Sequence, residues 1–228
     1  MNQNAVVGLD GNPNVVYLEY SNKPDQSGSG DTGNTGKTPE DKVIVFTYEL
    51  DTTKVDGQDN AKKLEGAEFK LHNVDNKWAI VNSDNKVTGW ADTEEGGSKL
   101  TSDANGLFKV IGLDDGTYYL KETKAPTGYN LLSSEITVVI TATTTNGQTW
   151  TDGQASSALT NLAVTADSTA GTGNTSTGVA GITVANNKGS TLPETGGMGT
   201  TIFYVIGAIL VIGAGVVLIT RKRMSASK

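Results

Sequence analysis

The stretch VFTYELDTTK, Val45 to Lys54, places Phe46, Tyr48, Leu50, Thr52 and Lys54 on one parity. Side chains of a strand alternate between its two faces, so this is a β-strand whose buried face carries two aromatics and a leucine. That face ends in a lysine, Lys54. The sequence downstream repeats the pattern. LEGAEFKLHN aligns Ala67, Phe69 and Leu71, and NKWAIVNSDNKVTGW reads as a hairpin turning between Ser83 and Lys86. LFKVIGL and GTYYLKET follow as strands separated by Asp114-Asp115-Gly116, and KAPTGYNLL turns through Pro126 and Gly128. EITVVITATTT is β-branched and apolar at nearly every residue, which predicts a central strand. The Thr-, Ser-, Gly- and Asn-rich segment from Asn146 to Gly181 reads as a long surface excursion or as weakly paired edge strands. GITVANNKG closes the domain, with Ile182, Val184 and Asn186 on one face. Residues 42–190 are therefore expected to form one all-β domain.

Upstream, Val16, Leu18, Tyr20 and Asn22 also share a parity in VVYLEYSN. A lone strand cannot form a core, so residues 1–22 read as the last strand of a truncated upstream domain. No basic start followed by an apolar run precedes it, so Met1 is expected to lie inside a longer parent or to be a misassigned start. Residues 23–41, polar and rich in glycine without periodicity, read as a flexible linker.

Composition narrows the function. The chain has 228 residues, a net charge of −7 and no cysteine. An extracellular domain of this kind cannot use disulfides and must rely on its core or another covalent link. No basic face offsets the negative charge outside the C-terminal tail, so nucleic-acid binding has no support.

At the C-terminus, Leu192-Pro193-Glu194-Thr195-Gly196 (191–200) precedes an uncharged run, 201–220, and a basic tail, 221–228. About 20 helical residues span roughly 30 Å of hydrocarbon, so the run is expected to be a single transmembrane helix. Arg221, Lys222 and Arg223 act as the membrane stop on the cytoplasmic side. The order of motif, span and basic tail resembles the cell-wall sorting signal of Gram-positive surface proteins. That resemblance implies a membrane-anchored precursor that sortase cuts between Thr195 and Gly196. The Thr195 carboxyl then passes to peptidoglycan or to another pilin subunit.

Parity turns three polar groups inward. Lys54 ends the face of Tyr48 and Leu50, Glu122 that of Tyr118 and Leu120, and Asn186 that of Ile182 and Val184. Each could snorkel outward at a strand end. If instead they meet, burial favours the neutral amine, and an amine held against an amide carbon is a positioned nucleophile with an adjacent acid to move the proton. The product is a Lys54–Asn186 isopeptide bond. Asn187 is the adjacent alternative acceptor, on the wrong parity.

TTKVDGQDNAKKLEGAEFKL and YYLKETKAPTGY look like the lysine strand and the E-box of Gram-positive pilins and Cna B-type surface domains, and VANNKGSTLPETGG resembles their last strand running into the sorting signal. The resemblance implies a Cna B-type (prealbumin-like, Ig-like) β-sandwich with an isopeptide between Lys54 and Asn186 and Glu122 as its catalyst. It also implies Asn22 as acceptor for an upstream domain. The Tyr-Pro-Lys context in which backbone pilins present their polymerising lysine does not occur in this sequence.

Other residues suggest no site. His72 is the only histidine and reads as a surface or strand-end residue. Asp56, Asp59, Asp114 and Asp115 lie in polar turns without the spacing of a calcium loop, so no metal and no cofactor are expected. Trp78, Trp90 and Trp150 are expected to pack in the core or at an edge. The chain reads as a wall-anchored structural subunit of a pilus, not a turnover enzyme. The alternative is a monomeric adhesin that binds a host glycan or matrix protein.

Overall fold

The computed structural model describes residues 4–22, 35–146, 158–189 and 198–225, with side chains of the last segment described over 203–222. The strand carrying Lys54 is Tyr48–Asp56, and its alternate residues Tyr48, Leu50, Thr52 and Lys54 are all fully buried. The described strands, in chain order, are β1 Asn12–Val16, β2 Glu19–Ser21, β3 Thr35–Lys37, β4 Asp41–Val45, β5 Tyr48–Asp56 and β6 Asp59–Lys63. Then come β7 Glu68–Asn73, β8 Trp78–Val81, β9 Val87–Ala91, β10 Leu100–Thr101, β11 Leu107–Leu113 and β12 Gly116–Lys124. The last are β13 Ile136–Thr144, β14 Leu159–Ala166, β15 Thr169–Ala170, β16 Thr172–Asn174 and β17 Val179–Asn186.

Two sheets enclose the core. One has the order β15-β14-β13-β12-β7-β8-β9, with β10 added at β7; the other has the order β11-β5-β17-β16, with β6 added at β5. Leu50, Val110, Ile182 and Val184 of the second sheet pack into the same apolar cluster as Phe69, Leu71, Leu120, Val138 and Ile140 of the first. This is an all-β sandwich, and EITVVITATTT is central in it, since β13 lies between β12 and β14. The first strand of the sandwich and the last are direct neighbours: β5 and β17 run parallel, with Val184 opposite Lys54 and Asn186 opposite Asp56.

Three stretches differ from the sequence reading. The segment expected to be an excursion or weak edge contains β14, whose Leu159, Leu162, Val164 and Ala166 are buried and which pairs with β13 from Val138 to Thr144. Its spacing of apolar residues was masked by the surrounding threonines and asparagines. Residues 147–157 lie outside the described residues. Upstream, β1 pairs with β4 and β2 with β3, so the described end of the expected linker, 35–41, contributes backbone to two separate two-stranded ribbons. Val16, Leu18 and Tyr20, expected to share a buried face, are exposed within this chain.

The two sheets come close where β16 crosses β14. A Cβ added at Gly173 would lie 1.8 Å from the carbonyl oxygen of Leu162, a backbone atom that cannot rotate away. A residue with a side chain forces the strands apart there.

The C-terminal unit is a single helix, α1, Met198–Ser225. Its segment Phe203–Lys222 has a mean hydropathy of 2.5 and is long and apolar enough to cross a membrane. Apolar side chains cover it all round, as a span facing lipid requires. Thr220 returns its hydroxyl to the Val216 carbonyl at 2.9 Å, so that polar group is satisfied inside the helix.

Gly173→Ala is expected to destabilise the β domain by about 1–3 kcal/mol, as overpacking of a tight contact does. Gly89→Ala, where the added carbon meets only Ile80 Cδ1 at 3.8 Å, is expected to change little. Thermal unfolding of both variants beside the parent checks this, and equal melting temperatures for the two would contradict it.

Candidate functional site

Lys54, Glu122 and Asn186 meet at one end of the core. Each is brought there by the parity of its own strand: Lys54 by β5, Glu122 by β12 in the opposite sheet, and Asn186 by the last residue of β17. Lys54 and Asn186 are 0 % and 1 % exposed and Glu122 is 5 % exposed, so snorkelling at strand ends does not occur. The aromatic floor is Phe69, whose ring centroid lies 5.8 Å from Lys54 Nζ.

The hydrogen bonds orient the three polar groups. Lys54 Nζ donates to Asn186 Oδ1 and to the Val184 carbonyl, the latter at 3.3 Å. Asn186 Nδ2 donates to Glu122 Oε1 and Oε2, both at 2.9 Å, and to the Asn130 carbonyl at 2.9 Å. Carboxylate and carbonyl oxygens accept only, so the NH₂ of Asn186 must face them and its oxygen must face the amine. Glu122 Oε1 lies 3.8 Å from Lys54 Nζ, and Oε2 accepts the backbone N–H of Leu132 at 2.8 Å. The carboxylate thus stands beside both nitrogens that a transfer of the amide would involve.

Burial pushes the Lys54 ammonium down to about 8, against a smaller opposing pull from the Glu122 carboxylate. At pH 7 about a tenth of the amine is therefore free, far more than for an ordinary lysine, and the free form is the nucleophile. Removing only one member of the pair leaves a buried charge uncompensated, at a cost of about 3–5 kcal/mol.

Asn187 does not reach the amine. It is exposed, and its carbonyl accepts the N–H of Asn130 at 2.9 Å. Asn22 follows β2, is exposed, and packs its side chain beside Gly36. Leu192, Pro193, Glu194, Thr195 and Gly196 lie outside the described residues, as does the side chain of Arg223; Arg221 and Lys222 are exposed near the end of α1.

Of the discounted residues, His72 lies near the end of β7, the strand-end position expected, though it is buried there, and Asp56 sits differently from expectation. The His72 ring stacks on Tyr119 with centroids 4.9 Å apart, and Nε2 lies 3.1 Å from Glu135 Oε2. Asp56 is the buried last residue of β5, not a solvated turn residue. Its carboxylate accepts the N–H of Gln58 at 2.9 Å and the hydroxyl of Tyr129 at 2.8 Å, with Lys188 Nζ 3.3 Å away. These contacts, the Gln58 N–H foremost, hold its pKa down to about 2. The parity of Asp56 with Lys54 was a signal available in the sequence. Trp78 is buried, and Trp90 packs at the edge over Tyr118 with centroids 6.3 Å apart. Among the described residues no group of three or more His, Cys, Asp or Glu could hold a metal ion.

Comparison with known proteins places this geometry in a class. Residues 48–154 match the family model described as SpaA, prealbumin-like fold domain, and residues 185–225 match that of the LPXTG cell wall anchor motif. Lys54 and Glu122 fall in the first match and Asn186 at the start of the second. The chain therefore carries a prealbumin-like domain followed by a wall anchor, which marks a cell-wall-anchored surface protein of a Gram-positive bacterium.

It is homologous to the trypsin-resistant surface T6 protein of Streptococcus pyogenes serotype M6, at 31% identity over 138 residues, 58% of this chain and 22% of that protein. Among solved structures, it is similar to the pilus 2b backbone protein of group B streptococcus. Identity is 31%, coverage 70% of this chain and 50% of that one, and the TM-score 0.50. The T6 backbone pilin of serotype M6 S. pyogenes, described as a modular three-domain structure, matches at 25% identity, 83% and 45% coverage and a TM-score of 0.48. The chain spans half or less of the length of each of these relatives.

In an Asn186→Ala chain the Lys54 amine has no side-chain amide at that position to meet. Its folded-state value of about 8 lies below the 10.5 of an ordinary lysine, so between these the unfolded chain binds more protons. Stability of that variant is expected to rise with pH from about 8 to about 10.5. Denaturant unfolding at stepped pH measures this, and a flat profile over that window would contradict a buried, depressed amine.

Proposed function

We propose that this chain is a pilus subunit whose β domain locks itself with a Lys54–Asn186 isopeptide bond and which sortase joins through Thr195 to the wall or to another subunit. The observation that carries the crosslink is the dry juxtaposition of amine, carboxyl and amide at the ends of β5, β12 and β17.

In the reaction the free amine of Lys54 attacks Cγ of Asn186. Glu122 takes a proton from Nζ and delivers it to Nδ2, the atom it already contacts with both oxygens. The Nζ–Cγ bond forms, the Cγ–Nδ2 bond breaks, ammonia leaves, and Glu122 ends as it began. Proximity supplies much of the rate, because the partners are held by the fold and need no encounter. The event happens once per chain, so the protein is a self-modifying structural element and a sortase substrate, without turnover.

The mechanical consequence follows from topology. The bond joins residues 132 apart in sequence on two adjacent parallel strands. A covalent closure of a loop on the order of 100 residues stabilises by about 4–5 kcal/mol through the unfolded state alone. Tension entering at β5 and leaving past β17 passes through the bond and bypasses the sheets between them. The pilus reading rests on the homology to the T6 surface protein, the likeness to the group B streptococcus backbone protein and the anchor motif.

A purified chain ending at residue 190 is expected to weigh one ammonia less than its sequence, and Glu122→Ala is expected to restore the full mass. An intact domain of unchanged mass would remove the crosslink. On cells that carry the protein, a covalent ladder of subunits is expected on denaturing gels, whereas a single wall-linked band would exclude the pilus reading.

A further inference from the structure

The reactive trio is covered by a loop, and the loop is fastened from outside by a residue pair that the proposed chemistry does not use. The turn after β12 closes with the Tyr129 N–H on the Pro126 carbonyl at 3.0 Å, and Gly128 supplies the positive φ of 86° that it needs. From there the chain runs back along the end of β17: Tyr129 bridges to Lys188, and the Asn130 N–H donates to the Asn187 carbonyl at 2.9 Å. Its inner side touches two of the three reactive groups. The Asn130 carbonyl holds the departing nitrogen of Asn186, and the Leu132 N–H holds Glu122 Oε2.

Its outer side is tied by the Tyr129 hydroxyl to Asp56 Oδ2 at 2.8 Å. Asp56 is itself fixed: it ends the lysine strand two residues past Lys54, stands opposite Asn186 across the parallel pair and is 1 % exposed. Its remaining oxygen accepts the Gln58 N–H, and Lys188 and Lys62 approach Oδ2 at 3.3 and 3.8 Å. One carboxylate thus connects the strand of the nucleophile, the strand of the acceptor and the covering loop.

We infer that Asp56 and Tyr129 form a latch that positions the Asn130–Leu132 cover over the trio and so sets the rate at which Lys54 and Asn186 condense. This rests on the crosslink reading above. Asp56 and Tyr129 are positioning residues, since neither touches a reacting atom. Without the latch, Asn130 and Leu132 shift, the amide loses a fixed acceptor on its leaving nitrogen, and Glu122 loses a donor that aims it. A misplacement near 1 Å of groups around a reacting pair costs up to about a hundredfold in rate.

The test synthesises the full chain in a cell-free system with detergent micelles and follows the crosslinked form by intact mass and gel mobility after a pulse. Tyr129→Phe and Asp56→Ala are expected to slow crosslinking by about tenfold to a hundredfold yet reach the same final mass. Asp56→Asn, which keeps an oxygen for the tyrosine hydroxyl, is expected to recover part of the rate, a rescue that general loss of stability does not produce. The rise of rate with pH that follows the Lys54 amine is expected to persist in all three. Near-UV circular dichroism establishes that each variant is folded. Crosslinking of folded Tyr129→Phe and Asp56→Ala at the parental rate would overturn the latch, as would an Asp56→Asn no faster than Asp56→Ala. A parent chain that never crosslinks would instead overturn the underlying reading.

Discussion

A lysine amine with no access to water is the constraint on which the domain depends. Lys54 sits on the core face of the first strand, and burying an unpaired ammonium is among the costlier things a fold can do. Three features reduce that cost together. Burial lowers the affinity of the amine for its proton, Glu122 supplies an opposing charge at 3.8 Å, and Asn186 and Val184 offer oxygens to its hydrogens. Each belongs to a different part of the chain, so the amine is satisfied only when β5, β12 and β17 are all in register. Conversion of the amine to an amide would remove the ionisable group altogether and leave a neutral, hydrogen-bonded link in the same space.

The order of strands makes that one bond consequential. Because β5 is the first strand of the sandwich and β17 the last, and because the two are parallel neighbours, a link between them would gather the whole intervening chain into one loop. With the proposed link, a domain without cysteine would gain the kind of closure a disulfide gives elsewhere, through a bond that reduction does not break. In sequence, β17 runs directly into the match to the wall anchor motif, which begins at residue 185.

Much of this was legible from side-chain alternation. The parity of Tyr48, Leu50 and Lys54, of Tyr118, Leu120 and Glu122, and of Ile182, Val184 and Asn186 placed all three polar groups on core faces, because burial on a sheet repeats every second residue. What parity cannot supply is pairing between distant segments. The tie between Asp56 and Tyr129 joins residues 73 apart, and Asp56 looked like one more acid in a polar turn. β14 escaped for a different reason: its apolar positions Leu159, Leu162, Val164 and Ala166 break strict alternation and are surrounded by threonine and asparagine. The burial of His72 was not legible, because a lone polar residue near a strand end gives no hint that Tyr119 and Trp78 cover it.

The central claim is that Lys54 Nζ and Asn186 Cγ share a covalent bond in the mature protein. Tryptic peptide mapping with fragmentation of the products addresses it at the level of the two residues. The account predicts no cleavage after Lys54 and a branched peptide in which the lysine side chain carries the segment containing Asn186. Ordinary cleavage after Lys54, with both segments recovered as separate linear peptides and Asn186 unmodified, would contradict it.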